Sequence, residues 1–363
     1  MKNPFFLLFC CLLLVSTSAF SNGSLDSTLQ KMAGSAVQGY VGPIVSGFGA
    51  DLNGGWFHKA PSAKMFGFDL ELGVVAMGAL FNTADKTIPA GANGQFSLDA
   101  TQTAQIASTI PGYSSLPANY QSAIQNQISK TVFNVGISGP TIVGSKTDTV
   151  KVNFPAQAIT VNTPGGTKTY DIPANVINTG VTGLLGNLSF IPLAAPQLSI
   201  GTIVGTQLTF RYLPNVKLNS DIGDLKFVGY GIQHNPGVWF PNPLPVDLCL
   251  SFFTQTLDAG TILTTKATEY GINASKTFGP GPVSITPYAG FMLESSKMTF
   301  DYTSTLQTPG GGTQQVHVNL PLTGENKSRL TLGLSLKLLA TNINADYNFG
   351  TFKSVTAGLM FTL

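Results

Sequence analysis

The chain has 363 residues, a formal net charge of +2 and only 10% charged residues. Soluble domains usually carry about 25% charged residues, so part of the surface of this protein is not expected to face water. The near-neutral charge also removes the electrostatic basis for binding nucleic acid.

The first residues have the layout of an export signal. Lys2 supplies a positive charge, residues 5–15 form an apolar run, and small residues follow at 16–19. A membrane-spanning helix needs roughly 20 apolar residues, and neither this run nor any later segment reaches that length. Residues 1–21 are therefore predicted to be a signal peptide that is removed after export.

A helical pattern follows the predicted signal. Apolar residues recur with the spacing of an amphipathic helix over residues 24–40, and Gly39 and Pro43 are expected to end that helix. We assign residues 22–45 to an N-terminal helical segment. A second, polar helix is predicted over residues 116–130.

The strongest pattern is the alternation of apolar and polar residues near the C-terminus. From residue 329 to residue 338, leucines at the even positions oppose polar residues or glycine at the odd positions. Two further segments, 342–349 and 354–363, alternate in the same way, with short turns predicted at 339–341 and 350–353. Earlier segments of the same kind are 66–73, 207–212, 246–255, 269–278, 283–294 and 298–306.

These predicted strands favour a membrane barrel over the alternative, a soluble β-sandwich with one solvated face. The segments are about 9 to 11 residues long, the length of a tilted membrane strand. Their polar positions are rich in Gly, Ser, Thr and Asn rather than Lys and Glu. The predicted fold is all-β: a transmembrane antiparallel β-barrel of roughly 12 to 14 strands over residues 46–363, with residues 22–45 as a short helical plug. Between residues 82 and 196 the alternation weakens, and we expect loops and short strands there.

Charged residues on the polar faces of the predicted strands are expected to point into the barrel, because the apolar faces would contact lipid. One interpretation is that they pair across the interior and hold the barrel and its plug together. The other is that they line a path for a polar or amphipathic solute. The candidates are Asp69, Glu71, Arg211, Asp247, Glu269, Glu294, Arg329, Lys337 and Asp346.

The sequence gives no basis for predicting catalysis, a metal site or a cofactor. His58, His234 and His317 fall in loops or at strand ends, and no Gly-x-Ser-x-Gly elbow is present. Two of the three cysteines lie inside the predicted signal, so Cys249 has no partner for a disulfide or a cysteine zinc site in the mature chain. We therefore expect a protein that is not an enzyme.

Two stretches carry a family resemblance: residues 329–363, and residues 40–72 with Gly54-Gly55-Trp56 and Phe66-Gly67-Phe68-Asp69. They resemble an outer-membrane β-barrel family of unknown function from Bacteroidota, which is in turn similar to the long-chain fatty-acid transporters of the outer membrane. The resemblance implies a barrel with an N-terminal segment folded into its interior as a plug. The alternating residues that end at Leu363 also resemble the signal read by the barrel-assembly machinery.

The sequence thus leads to an expected location and to two alternative functions. The location is the outer membrane of a Gram-negative bacterium, with outer-membrane lipid and the barrel-assembly machinery as partners. The first function is a plug-gated channel or transporter for small hydrophobic or amphipathic solutes, and the alternative is a structural or surface-binding barrel without transport. With Leu363 on the periplasmic side, we interpret residues 350–353 as a periplasmic turn.

Overall fold

A computed structural model describes residues 35–219, 223–242, 244–307 and 313–362. The predicted signal peptide and most of the helix predicted over residues 24–40 lie outside the described residues. The chain divides into two compact units. The first contains residues 42–82 and 188–363, and the second contains residues 83–187 together with residues that precede 42.

The helices and strands are numbered here in chain order. They are α1 (Ser35–Asn53), β1 (Phe66–Leu80), β2 (Asn93–Ser97), α2 (Ala100–Ser108), α3 (Ala118–Lys130), β3 (Val132–Ser138), β4 (Thr149–Phe154), β5 (Gln157–Thr163), β6 (Gly166–Ile172), β7 (Asn175–Thr182), β8 (Phe190–Ile203), β9 (Thr206–Asn219), β10 (Gly223–His234), β11 (Asp247–Ala259), β12 (Leu263–Ser275), β13 (Val283–Gln307), β14 (Thr313–Thr323), β15 (Ser328–Leu338), β16 (Thr341–Phe349) and β17 (Lys353–Thr362).

The first unit is a closed antiparallel β-barrel. From β8 to β13 and from β15 to β17 each strand pairs with the next, and β13 pairs with β15 as well as with β14. Strand β1 pairs with both β8 and β17 and so joins the first and last strands of this series. Ten strands complete the circle: β1, β8 to β13 and β15 to β17. Strand β13 is 25 residues long, so its first half pairs with β15 and its second half pairs with β14 in a hairpin.

The barrel has ten strands, fewer than the 12 to 14 expected from the sequence. The difference arises because residues 83–187 form a unit of their own instead of contributing strands to the barrel. This unit contains a sheet in the order β2-β3-β4-β7, the hairpin β5–β6, and helices α2 and α3. Its aromatic core packs Phe96 and Phe133 edge-on against Phe154.

The two faces of the barrel strands follow the predicted alternation. In β15 the even-numbered leucines, such as Leu330 and Leu334, are exposed, whereas Arg329, Thr331 and Ser335 between them are buried. Period-two side-chain direction in a closed sheet places one set outside the barrel and the other inside. The outer surface is therefore apolar, and the buried set forms the inner face.

Helix α1 continues through both residues that were expected to end it. Gly39 and Pro43 lie inside the helix, which reaches Asn53. A proline in a helix interior removes one backbone hydrogen bond. Tyr40 and Val41 before it and Val45 after it are buried, and such tertiary packing supplies most of the stability of a helix in a folded protein. Helix α3 ends at Lys130, as predicted.

None of the helices in the described part of the chain combines the length and the apolar character needed to cross a bilayer.

Strand direction corrects the predicted placement of the turns. Strand β17 runs from Lys353 to Thr362, so the turn at 350–352 lies at the end of the barrel opposite Thr362. The turn at 339–340 shares the end with Thr362, whose backbone N–H donates to Ala340 O at 2.7 Å. The interpretation of residues 350–353 as a turn on the same side as the C-terminus is therefore wrong. Strand β17 runs along the barrel wall between this turn and the C-terminus, so the two lie at opposite ends of the barrel.

Candidate functional site

Residues 42–63, named here the plug, pass along the inner face of the barrel. They comprise the C-terminal part of α1 and the loop that leads towards β1. Trp56 packs on Gly229, an inward position of β10. A Cβ added at Gly229 would lie 2.8 Å from the ring of Trp56. Ser46 Oγ accepts a hydrogen bond from the backbone N–H of Glu325 at 3.1 Å. The sequence predicts the plug at residues 22–45, whereas residues 35–41 belong to the second unit and the interior segment continues to residue 63.

Arg211 of β9 holds the C-terminal end of α1. Its Nη2 donates to Gly54 O at 2.9 Å and its Nη1 to Leu52 O at 3.5 Å, while its Nε donates to Gln197 Oε1 at 2.9 Å. The guanidinium group also lies over the Trp56 ring at 4.0 Å. A helix ends with unpaired carbonyl groups and a partial negative charge, so a buried arginine is a suitable partner for it.

A second set of contacts joins the plug to β1 through charges. Lys59 Nζ lies 2.9 Å from Asp69 Oδ2 and 2.7 Å from Glu71 Oε1. His58 Nε2 lies 3.3 Å from the other oxygen of Glu71, which is buried. Burial by itself would lower the pKa of Lys59, but the carboxylates of Glu71 and Asp69 outweigh it and hold the pKa above its usual value. Lys59 is therefore charged at neutral pH.

Hydrogen bonds from uncharged donors fix the last part of the plug. Asn235 Nδ2 donates to Pro61 O at 2.7 Å and to Asp247 Oδ1 at 3.1 Å. The backbone N–H of Ala60 donates to Ser275 Oγ at 2.9 Å. The plug is thus attached by side chains to β1, β9 and β12 and to the loop after β10.

A cluster of buried charges lies on the inner face. Arg329 of β15 forms a hydrogen-bonded ion pair with Glu269 of β12, and its Nη1 lies 3.3 Å from Glu294 Oε2 of β13. Asp346 of β16 accepts from Tyr288 at 2.9 Å and from Asn348 at 2.8 Å. All four charged side chains are less than a tenth exposed. Separating charges of this kind from their partners is expected to cost several kcal/mol.

The inner face also carries an apolar band. Leu52 of the plug packs in a cluster with inward side chains of β1, β8, β10, β11, β12 and β17. The members from the wall are Val75, Met77, Leu193, Ala195, Leu225, Phe227, Leu257, Ala259, Ala267 and Met360. A second cluster joins Trp56 and Phe57 to Phe253, Tyr288 and Met292. The interior therefore contains apolar and charged surfaces side by side.

Asp51 is the most isolated charge of the plug. It is fully buried, and neither carboxylate oxygen has a hydrogen-bond partner within the described residues. Burial raises the pKa of this carboxyl group well above its ordinary value, and the backbone N–H of Ala79, which is nearby but outside hydrogen-bonding geometry, opposes the shift only in part. A buried carboxyl without a cation beside it is more stable in the protonated form.

The nine charged residues predicted from the sequence all occupy inward positions in the alternation of their strands. The structure brings most of them into two groups. Asp69 and Glu71 both contact Lys59. The charge cluster contains Glu269, Glu294, Arg329 and Asp346. Arg211 is near enough to Glu269 and Asp346 to interact with them electrostatically. Asp247 is half-buried beside Asn235. Lys337 is half-buried and forms no ion pair with the described residues.

Sequence reasoning missed the plug residues that contact these charges. Lys59 and Trp56 belong to a loop without periodicity, so no pattern assigned their side chains to the interior. The Gly54-Gly55-Trp56 motif was the available signal, since Gly55 has φ +67 and no room for a Cβ beside Val75. Within the described ranges, no three His, Cys, Asp or Glu side chains are grouped as metal ligands would be.

Several solved outer-membrane barrels are weakly similar to this chain. OmpT of Vibrio cholerae in its trimer form is 10% identical over 82% of this chain and 99% of its own, with a TM-score of 0.24. The β domain of the Bordetella autotransporter BrkA is 12% identical over 81% of this chain and 100% of its own, with a TM-score of 0.21. These TM-scores are low, so the barrel assignment stands on the strand pairing alone. No curated protein matches the sequence significantly.

The model of a protein family of unknown function (DUF6588) matches residues 1–363, and the chain belongs to this family.

Proposed function

We propose that the protein is a channel or transporter of the bacterial outer membrane in which the plug gates the passage of small hydrophobic or amphipathic solutes. One observation carries the proposal: the plug lies inside a closed barrel but is attached by side-chain contacts, not by strand pairing. Such a segment can move without breaking the hydrogen-bonded ladder of the wall. The proposal assigns no catalytic activity and no cofactor.

The outer surface supports a membrane location. Leu72 of β1, Phe210 of β9, Tyr270 of β12 and Phe361 of β17 are among the large apolar side chains that are 40% or more exposed. A closed barrel leaves no unpaired strand edge in the bilayer, and an apolar outer face suits its contact with lipid. The predicted export signal supports the outer membrane over other membranes, and with it outer-membrane lipid and the barrel-assembly machinery as partners.

The apolar band supports the class of solute. The interior of a barrel that conducts water and ions is polar, whereas here an apolar cluster extends over six strands and onto Leu52 of the plug. A solute with an apolar part has a matching surface there once the plug moves. The resemblance to the long-chain fatty-acid transporters agrees with an apolar part but does not define the polar end of the solute.

Locking the plug by a disulfide tests the gate. A Cβ added at Gly47 in α1 would lie 3.5 Å from Ala79 Cβ in β1, which is within the range of disulfides. We expect Gly47→Cys/Ala79→Cys, made in a Cys249→Ser background, to form this bond after the Phe81 ring shifts. Flux of a fluorescent amphipathic solute into proteoliposomes should fall at least tenfold on oxidation and recover on reduction.

The Cys249→Ser parent, treated with the same oxidant, is the matched control. Equal flux in the oxidised and reduced forms of the double variant would show that the plug is not the gate. Absence of flux in the parent and in the reduced double variant would remove transport from the proposal.

The second unit gives an observation in favour of the alternative, a surface-binding barrel. Residues 83–187 have their own sheets and aromatic core, and they are inserted between β1 and β8. The insertion begins and ends at neighbouring positions, since Leu80 pairs with Phe190 and Phe81 N–H donates to Ser189 O at 3.0 Å. Replacing residues 83–187 by a short turn should therefore leave the barrel folded. Loss of binding to surfaces or cells with unchanged flux would assign a separate binding role to this unit.

A further inference from the structure

Five neighbouring side chains of the inner face contain polar atoms that form no hydrogen bond with the described residues. We name this set the acidic wall: Gln255 of β11, Thr265 and Glu269 of β12, Glu294 of β13 and Arg329 of β15. Each is 5% exposed or less. Buried polar atoms are nearly always hydrogen-bonded, and an unsatisfied one costs about 1–3 kcal/mol. Several such atoms in one place therefore indicate a missing partner.

Strand register places these residues together. Glu269 lies directly opposite Glu294 in the β12–β13 pair, where Cβ atoms are typically about 4.5–5.5 Å apart. Gln255 lies opposite Ala267, two positions from Glu269 on the same face. Arg329 binds Glu269 and lies 3.3 Å from Glu294. Two carboxylates are thus held as cross-strand neighbours, an arrangement that is destabilising unless positive charge compensates them.

Among the described residues of this region, the positive charge is one unit short. The carboxylates that interact in this region are Glu269, Glu294 and Asp346, against the guanidinium groups of Arg211 and Arg329, so three negative charges face two positive ones. Arg211 is also engaged by Leu52 O, Gly54 O and Gln197. With every group ionised, the region has a net charge of −1, and in a buried site this excess is neutralised either by a proton or by a bound cation.

The unsatisfied atoms are mostly acceptors. The acceptors are Glu269 Oε1, both oxygens of Glu294 and Gln255 Oε1, and the donors are Gln255 Nε2 and Nε and Nη1 of Arg329. The Thr265 hydroxyl can accept or donate. Glu294 Oε2 and Arg329 Nη1 lie 3.3 Å apart as an ion pair, so the remaining oxygens are the atoms without any partner. An ammonium group has three donors, no acceptor and one positive charge. A carboxylate would add acceptors and negative charge where both are already in excess. The charge and the hydrogen-bond inventory therefore favour the same ligand group.

We propose that the acidic wall binds the ammonium head group of an amphipathic solute, whose apolar part lies along the apolar band. The two surfaces are continuous, because Ala267 of the band lies between Thr265 and Glu269 on β12, and Leu257 of the band is two positions from Gln255. Leu52 of the plug belongs to the same apolar cluster as Ala267 and Leu257, so we expect access to the band to require movement of the plug. The inference names the solute class and, for access, rests on the proposed gating.

Trp56 is a reporter for binding. The chain has two tryptophans, so Trp239→Phe leaves Trp56 as the single tryptophan. The Trp56 ring stacks on Phe253, and Phe253 lies directly opposite Glu269 in the β11–β12 pair. Its fluorescence is titrated in detergent at pH 7 with dodecylammonium, dodecanoate or dodecanol. We expect dodecylammonium to bind at least tenfold more tightly than dodecanoate. Methylammonium and sodium chloride at the same concentrations test whether a small cation is sufficient.

Variants test the wall itself. Glu294→Gln keeps the side-chain shape and removes one negative charge, so dodecylammonium affinity should fall at least tenfold while dodecanol affinity stays unchanged. Glu325→Gln, the same change at an exposed position, is the matched control. Thr265→Val removes one acceptor without charge and should lower the affinity by a smaller factor. It tests the wall independently should Glu294→Gln fail to fold.

The outcomes separate the two proposals. Equal or tighter binding of dodecanoate, or unchanged dodecylammonium affinity in folded Glu294→Gln or Thr265→Val, overturns the ammonium site but leaves a gated barrel. Full competition by sodium or methylammonium at equal concentration overturns it in favour of a small-cation site. No binding of any dodecyl compound overturns the inference and the solute class together, whereas the disulfide experiment still decides the gate.

Discussion

Arg211 joins the wall of the barrel to the plug without a carboxylate in hydrogen-bonding contact. Its donors go to two carbonyl groups at the end of α1 and to Gln197, and its planar group stacks on Trp56. The planar arginine fork suits this geometry, whereas lysine presents a single point of attachment. The residue thus combines a helix cap, a cation–π contact and a link to the wall.

Arg211→Met should loosen the plug. The substitution removes hydrogen-bond donors from the carbonyl groups of Leu52 and Gly54. Each buried carbonyl group left without a donor lowers the free energy of unfolding by about 1–3 kcal/mol. We expect a lower temperature of thermal unfolding in detergent and greater quenching of Trp56 fluorescence by acrylamide in a Trp239→Phe background. Arg211→Lys should give an intermediate result. Equal quenching in all three proteins would contradict a role of Arg211 in holding the plug.

Asp51→Asn should change how stability depends on pH. The pKa of Asp51 is raised in the folded state by burial, so the folded protein holds its proton above the unfolded value of about 3.9. Stability is then highest below that value and falls as pH rises towards the folded-state pKa, by at most about 1.4 kcal/mol per pH unit. Asparagine cannot ionise, so the variant should lose this slope and be more stable than the parent at pH 8.

Chemical unfolding at pH 4, 6 and 8 measures the effect. Asp171→Asn, at an exposed aspartate, serves as the control and should keep the pH profile of the parent. Parallel profiles for Asp51→Asn and the parent would mean that Asp51 carries no buried proton.

The sequence predicted which charges point inward but not which residues they contact. Alternation along β15 was sufficient to assign Arg329 to the inner face. Its ion pairs with Glu269 and Glu294 depend on strands that are distant in sequence, so no local pattern encodes them. Lys59 and Trp56 were not predicted because loop residues lack a period from which a direction can be inferred.

Among the elements, the C-terminal strands were the most predictable. A strict period of two over β15, β16 and β17 fixed both their boundaries and their faces, because a shift of one residue would place leucines inside and asparagines in lipid. Helix α1 was less predictable. Its Gly39 and Pro43 are local signals for an end, and the buried contacts that override them arise only in the folded protein.

Leu334→Arg tests the lipid-facing assignment of β15. Leu334 is exposed on the outer face, and an arginine near the bilayer midplane costs about 2–4 kcal/mol. Unfolding from lipid vesicles by denaturant should show this loss of stability. Leu339→Arg is the matched control, since Leu339 lies in the turn after β15 and should tolerate the charge. Equal stability of both variants would mean that Leu334 does not face the hydrocarbon.

For the whole molecule, the fold class followed from the pattern, but the strand count did not. A strand of β2 to β7 has the same local signals whether it joins a barrel or a separate sheet. The decision depends on pairing partners far along the chain, as in β1, which pairs with β17 across nearly the full sequence.

Epitope tags should distinguish the two ends of the barrel. With the C-terminus in the periplasm, as the proposed outer-membrane location implies, a tag inserted between Gly350 and Thr351 should be labelled by antibody on intact cells. A tag after Ala340 should be labelled only after the membrane is opened, since this turn shares the end with Thr362. The reverse pattern would invert the orientation of the barrel.

The short connection between Pro61 of the plug and β1 has a kinetic consequence. Only residues 62–65 separate Pro61, which is bound by Asn235, from the first residue of β1. A short tether keeps a released segment at an effective concentration in the millimolar range around its binding surface. Reclosure is therefore a first-order event whose rate does not depend on protein concentration. In single-channel records, opening would take the form of brief bursts that end without an added factor, and dilution would not lengthen them.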